Sequence, residues 1–200
     1  MNHQNLIGLV LAGGESQRMK TDKGLLNYHG KLQREYLYHL MQPYCEKVYI
    51  CCKAAQAETV STGLPVLTDE QNGIGPAAAL LTAYHRHPKA SFLVIGCDYP
   101  LFDTEHIVRL LSHRTPQTDA VVYQNAETGI PEALLGVYEN HCLPRFEKEV
   151  LAGNYSLRFF LQQTATTFLL PLKKEAIQSI DTPEGFERIK KELDKKEKGL

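Results

Sequence analysis

Paired glycines followed by fixed positive charge are the first chemical signal in this sequence. The run Leu11-Ala12-Gly13-Gly14-Glu15-Ser16-Gln17-Arg18-Met19-Lys20-Thr21-Asp22-Lys23 leaves an apolar segment through Gly13 and Gly14 and then brings in Arg18 and Lys23. Glycine lets backbone N–H groups approach an anion with no Cβ in the way, and the two cations carry the sign that phosphate needs. No Gly-Lys-Ser/Thr follows at Walker A spacing and the loop does not read GxGxxG, so neither the P-loop nor the dinucleotide fingerprint applies. Alone, the pair reads more readily as a tight turn with exposed charges beyond it.

Two later loops hold carboxylates in comparable positions. Thr68-Asp69-Glu70-Gln71-Asn72-Gly73-Ile74-Gly75-Pro76 follows a short apolar run, and an ordinary Asx turn at Asp69 is the competing reading. Gly96-Cys97-Asp98-Tyr99-Pro100-Leu101 places Asp98 at the end of a continuous apolar run. A carboxylate there, beside a phosphate loop, suits Mg²⁺, which takes one or two carboxylates together with substrate phosphates and water. The competing reading of Asp98 is a turn cap before Pro100.

The elements that must carry these loops alternate along the chain. Leu6 to Leu11 reads as a buried strand, followed by a polar loop to about Lys23 and a helix over 33–43 carrying Tyr36, Leu37, Leu40 and Met41. Strands are expected at Val48–Cys51, Pro65–Leu67 and Phe92–Ile95, with a helix opened by Pro76 and running to Tyr84 between the last two. Asp103 or Thr104 caps a helix to about Ser112. Strands at Ala120–Tyr123 and Ala133–Tyr138 flank a turn from Asn125 to Pro131. Helices over 140–152 and 156–163, a strand at Thr166–Leu170 and a helix from Thr182-Pro183-Glu184 to about Lys196 complete the reading. Alternating strands and helices predict a sheet covered on both faces, and ligands in such sheets bind beyond the carboxyl ends of the strands. The three loops all lie at such ends.

Composition narrows the function classes. The 200 residues suit a single domain, with a charged C-terminal tail fraying from about 195. Net charge is −1 and the 22 basic residues are dispersed, which argues against nucleic acid as a partner. No apolar run is long enough to span a membrane, and the opening residues Met1 to Asn5 do not read as a secretory signal. Cys45, Cys51, Cys52, Cys97 and Cys142 form no CxxC pair and the eight histidines show no metal spacing, so a reducing cytoplasm is expected.

Taken together, the motifs resemble those of the molybdenum cofactor guanylyltransferase (MobA-like nucleotidyltransferase) family. The run from Leu11 through Lys23 to Leu25-Leu26 resembles the signature LAGGxSxRMGxDKxLL, with Gly30 and Leu32 where that family has a G-K-x-L turn. Gly96 to Leu101 resembles CDxPxL, Ile130 to Tyr138 the segment leading to the acceptor, Ser156-Leu157-Arg158 the S-L-R of many members, and Ile180 to Glu184 the closing N-T-P-E. The motifs occur in order from about residue 6 to 190.

The resemblance implies a three-layer α/β/α fold of the nucleotide-diphospho-sugar transferase type, whose mostly parallel Rossmann-like sheet has one antiparallel strand. It implies transfer of GMP from GTP to the terminal phosphate of molybdopterin, with Mg²⁺ as cofactor and other molybdenum-cofactor biosynthesis proteins as partners. Leu11, Ala12, Gly13, Gly14, Lys23, Asp69 and Asp98 would bind the nucleotide, with Lys23, Arg18 and Asp98 catalytic and Asp98 on the metal. Asp69 suits guanine, because its N1–H and amine both donate and a carboxylate only accepts. Ser156, Arg158 and Asp181 would bind the acceptor.

Three departures bear on substrate choice. Lys20 stands where the family has Gly, Cys51 where it often has Asn, and Asp181 where it has Asn. Cytidylyl transfer to the same cofactor, transfer to a sugar or polyol phosphate, and a non-catalytic nucleotide- or partner-binding role are the alternatives. Gly13-Gly14 and Gly75-Pro76 resemble the guanylyl branch, and retained Lys23 and Asp98 favour catalysis.

Overall fold

The computed structural model describes residues 5–13, 19, 21–69 and 73–197, with side chains of the last helix to residue 195. Its strands are β1 (Leu6–Leu11), β2 (Lys47–Cys52), β3 (Val66–Thr68), β4 (Ser91–Gly96), β5 (Ala120–Gln124), β6 (Pro131–Tyr138) and β7 (Thr166–Leu169). Its α-helices are α1 (Gln33–Met41), α2 (Ala54–Ala57), α3 (Pro76–Arg86), α4 (Thr104–Ser112), α5 (Leu143–Leu151), α6 (Leu157–Gln162) and α7 (Pro183–Glu197). The strands form one sheet in the order β3-β2-β1-β4-β6-β5-β7. β6 runs antiparallel to both β4 and β5, while every other pair is parallel. This is the expected single antiparallel strand.

Alternation along the strands divides the core between the two faces. On β1, Leu6 and Val10 join Leu37 and Met41 of α1 and Ile107 and Leu110 of α4. Ile7 and Leu9 face the other way, onto Leu80 of α3, Phe146 of α5 and Phe160 of α6. Strands buried on both faces need unbroken apolar sequence, which is why β1 and β4 are legible as continuous runs. Each such side chain, fully buried, contributes roughly 1.5–3 kcal/mol.

Helix starts follow from local chemistry. Asp103 caps α4, its Oδ1 accepting from the His106 backbone N at 3.1 Å. α3 begins at Pro76 behind Gly75, whose φ of 61° and ψ of −142° suit essentially glycine alone. The helix expected over 140–152 divides into a 3₁₀ turn at Asn140–Cys142 and then α5, which carries Pro144 in its first turn. Short helices at Ala54–Ala57 and the 3₁₀ turns at Lys23–Leu25 and Lys174–Ile177 add to the elements read from sequence. Among the described residues no helix is long and apolar enough to cross a membrane.

Candidate active site

The carboxyl ends of β2, β1 and β4 lie side by side, and backbone bonds knit the loops that leave them. Ala12 N donates to Cys51 O at 2.9 Å, Cys97 N to Leu11 O at 3.1 Å and Asp69 N to Cys52 O at 3.4 Å. Gly13 passes so close to the end of β2 that a Cβ on it would stand 3.3 Å from Cys52 Cα. A side chain there would crowd the backbone of Cys52 and Lys53 and force a local shift, so the glycine serves close approach as much as anion access.

Lys23 sits at the start of the 3₁₀ turn and reaches across the cleft to Asp98, with Nζ 3.1 Å from Oδ1. Asp22 fixes that turn from below. Its Oδ1 accepts from Gly24 N at 2.8 Å, and its Oδ2 accepts from Gln56 Nε2 at 2.6 Å. The lysine side chain is 14% exposed and the aspartate 32%, so the pair is held at the cleft wall with its carboxylate still open to solvent. Backbone also secures Asp98, whose carbonyl accepts from Ile180 N at 2.8 Å.

Beside this pair lies a cavity of about 260 Å³ lined by Leu11, Ala12, Gly13, Lys23, Cys51, Asp69, Gly75, Pro76, Ala79, Gly96, Cys97, Asp98 and Leu134. Asp69 contributes an unusual group. Among the described residues its Oδ1 is buried with no hydrogen-bond partner, and burial, offset in part by Lys53, pushes its carboxyl up to about 6. A buried carboxylate oxygen without a donor is costly unless a ligand supplies one. Cys51 and Cys97 are walls rather than nucleophiles. Burial, reinforced chiefly by Asp69 for the first and Asp98 for the second, holds both thiols well above their ordinary range and keeps them protonated.

A second cavity, of about 410 Å³, adjoins the first through Pro76, Asp98 and Leu134. Tyr99, Glu132, Tyr155, Ser156, Arg158 and Ser179 are on its walls. Ser156 caps α6, its Oγ accepting from Phe159 N at 3.2 Å. Arg158 donates from Nε to Pro131 O at 3.0 Å, and its Nη2 stands 3.8 Å from Glu132 Oε2. Asp181 lines a separate depression with Ile180, Thr182 and Arg188, which meets the second cavity at Ser179.

Residues 8–167 match the model of the MobA-like NTP transferase domain. The chain belongs to that family. It is 34% identical over 185 residues to a molybdenum cofactor biosynthesis bifunctional protein of Synechocystis sp., covering 92% of this chain and 53% of that one. It thus spans about half the length of that relative. A probable molybdenum cofactor guanylyltransferase of Carboxydothermus hydrogenoformans is 29% identical over 201 residues, covering 97% of this chain and 100% of the relative. The crystal structure of molybdopterin-guanine dinucleotide biosynthesis protein A from Archaeoglobus fulgidus superposes with a TM-score of 0.78 at 22% identity, covering 94% of this chain and 99% of that one. At that identity the likeness establishes the fold.

Within this member of the family, the structure brings Leu11, Ala12, Gly13, Lys23, Asp69 and Asp98 to one cavity, and Ser156 and Arg158 to the adjoining one. Gly14 and Arg18 lie outside the described residues, as does Lys20. Asp22, Gln56 and Glu132 were not singled out by the sequence reading. The Asp22-Lys23-Gly24 string carried a signal for Asp22, since an aspartate heading a short helical turn is a good cap. Nothing in sequence marked Gln56, whereas Glu132 falls within the Ile130 to Tyr138 segment that the resemblance assigns to the acceptor side. Among the described residues no group of three or more His, Cys, Asp or Glu could hold a metal on its own. A lone, solvent-reaching carboxylate beside a phosphate-sized cleft is nevertheless a donor set that fits Mg²⁺, which draws its remaining ligands from substrate oxygens and water.

Proposed function

We propose that this chain is a cytosolic guanylyltransferase that moves GMP from GTP to the terminal phosphate of a molybdopterin-type acceptor. The observation that carries the reading is the Lys23–Asp98 pair, standing where the two cavities meet. The names borne by relatives such as the Carboxydothermus protein supply the base and the acceptor.

In the reaction, an oxygen of the acceptor phosphate attacks the α-phosphorus of GTP, and the bond from that phosphorus to the β-phosphate oxygen breaks. Pyrophosphate leaves with the electron pair. The nucleophile is already ionised at neutral pH, so no general base is needed. What the protein must supply is alignment of two anions and stabilisation of charge on the departing group.

Lys23 and the Gly13 amide would bind the polyphosphate, a role to which Gly14 and Arg18, outside the described residues, would also belong. Asp69 accepts from the guanine edge, while Ser156, Arg158 and Asp181 serve the acceptor. Mg²⁺ would be held by Asp98 together with substrate phosphate oxygens, and when bound it supplies further neutralisation of phosphate charge. In the free chain, Lys23 occupies Asp98. A polyphosphate competes for the ammonium and so releases the carboxylate.

The test is thermal unfolding with GTP, CTP, ATP or UTP, each with Mg²⁺. A ligand at about 100 times its Kd stabilises the native state by about 2.7 kcal/mol, which for a chain of this size raises Tm by roughly 5–10 °C. A rise selective for GTP is expected. A CTP-selective rise would overturn the base assignment, and no rise with any nucleotide would leave only a non-catalytic, partner-binding reading.

A further inference from the structure

Glu132 owes its place in the second cavity to an irregularity of the sheet. β5 and β6 pair in regular register from Ala120↔Tyr138 to Val122↔Gly136, and the next pair is Tyr123↔Glu132. Residues 133–135 of β6 therefore have no partner on β5, and this bulge turns Glu132, Ala133 and Leu134 into the cavity wall. Bulges next to active sites commonly re-aim a side chain in this way. Arg158 pins the start of the bulge through its bond to Pro131 O.

The carboxylate is oriented as well as positioned. Tyr99 donates its hydroxyl to Glu132 Oε2 at 2.8 Å, and Arg158 flanks the same oxygen. Burial, together with Glu132 itself, keeps the Tyr99 phenol well above its ordinary range, so it stays a donor. Among the described residues, the hydrogen bond and the ion pair of this side chain both fall on Oε2 and none on Oε1, and the side chain is only 14% exposed. On the wall of the same cavity, Tyr155 is 45% exposed.

We propose that Glu132 Oε1 reads the acceptor's ring, accepting from a ring N–H and the exocyclic amine beside it while Tyr155 offers a face for stacking. A 2-amino-4-oxo pterin carries that donor pair along one edge. Guanine carries the same pair, and Asp69 offers a partnerless oxygen in the first cavity. The two carboxylates would then read equivalent edges at opposite ends of one cleft, with Asp98 and Lys23 between them. This inference rests on the guanylyltransferase reading for the identity of the acceptor.

The probes are pterin and lumazine, whose rings differ in that lumazine has a carbonyl where pterin has the amine. Binding of each is measured by fluorescence titration with the first cavity saturated by the α,β-methylene analogue of GTP, which cannot transfer its nucleotidyl group. The wild-type protein should bind pterin at least tenfold more tightly than lumazine. Glu132→Gln should reduce that ratio to within about threefold, and Tyr99→Phe should weaken pterin binding while leaving a preference. The analogue's own stabilisation of each variant reports on the fold and on the first cavity. Equal binding of the two probes to the wild type, no binding of either at millimolar concentration, or a preference lost in Asp69→Asn rather than Glu132→Gln would each overturn the proposal. If stabilisation by the analogue persists in those cases, the nucleotide reading survives. If it is absent from the wild type, that reading fails first.

Discussion

On the proposed role of Asp69, base recognition is pH-dependent in a way that can be calculated. Its carboxyl titrates at about 6 because burial disfavours the charge, and only the ionised form can accept from both guanine donors. At pH 8 roughly 99% of the free protein is ready to bind, and at pH 5 roughly 9%, so GTP affinity should fall about tenfold across that range, or about 1.4 kcal/mol. Phosphate protonation weakens every nucleotide, so the informative quantity is the ratio of GTP to ATP affinity, measured by calorimetry at several pH values. The ratio should fall about tenfold from pH 8 to pH 5 in the wild type and stay flat in Asp69→Asn. The ligand-free protein gives an independent check. A carboxyl whose folded pKa is raised contributes stability that is fully present below its unfolded value near 3.9 and is lost as pH rises through about 6. Asp69→Asn should therefore be more stable than wild type at pH 8, by about 1–2 kcal/mol once the residue's partial solvent contact is allowed for, and equal to it below pH 4. A GTP-to-ATP ratio with the same pH slope in both proteins would refute the assignment of Asp69 to the base.

Lys23→Ala should lower guanylyl transfer by roughly 10²–10³, the scale of losing one preorganised charge-stabilising group, and turnover within a few-fold of wild type would remove Lys23 from the chemistry. Asp98→Ala should abolish metal-dependent turnover while circular dichroism and unfolding remain those of a folded chain; a fully active variant would take the metal away from Asp98. Far from the cleft, Arg114 grips Glu139 through Nε at 2.6 Å and Nη2 at 2.9 Å, and Glu139 is only 8% exposed. Arg114→Met leaves that buried carboxylate without its cation, although the Ser91 hydroxyl still donates to Oε2 at 2.7 Å, and should cost about 3 kcal/mol in denaturant unfolding with nucleotide selectivity unchanged; a loss below about 0.5 kcal/mol would contradict the burial reasoning.

How much of this the chain announces depends on the range of the interaction involved. β1, β4 and α3 were legible because burial on both faces demands unbroken apolar runs, and because Gly75-Pro76 carries its own start signal. α2 was not, since four residues are too few for a 3.6-residue period to register. The turn at Lys23–Leu25, at the end of the expected polar loop, is too short to register for the same reason, although Asp22 stands there as its cap. The approach of Lys23 to Asp98 was foreseeable in outline, because both leave adjacent parallel strands at the same end.

Glu132 lay beyond that reach for a different reason. A regular β6 would send residues 132, 134 and 136 to one face and 133, 135 and 137 to the other, with no residue leaving the sheet. The bulge that carries Glu132 to the cleft is fixed by β5, by Tyr99 after β4 and by Arg158 at the start of α6, all distant in sequence. Tyr99 and Asp98 are neighbours on one strand end, so the group that orients Glu132 and the carboxylate paired with Lys23 move as one piece of backbone. On the proposed acceptor reading, any displacement of that turn shifts both ends of the acceptor site together, which couples how the ring is read to where its phosphate meets the nucleotide.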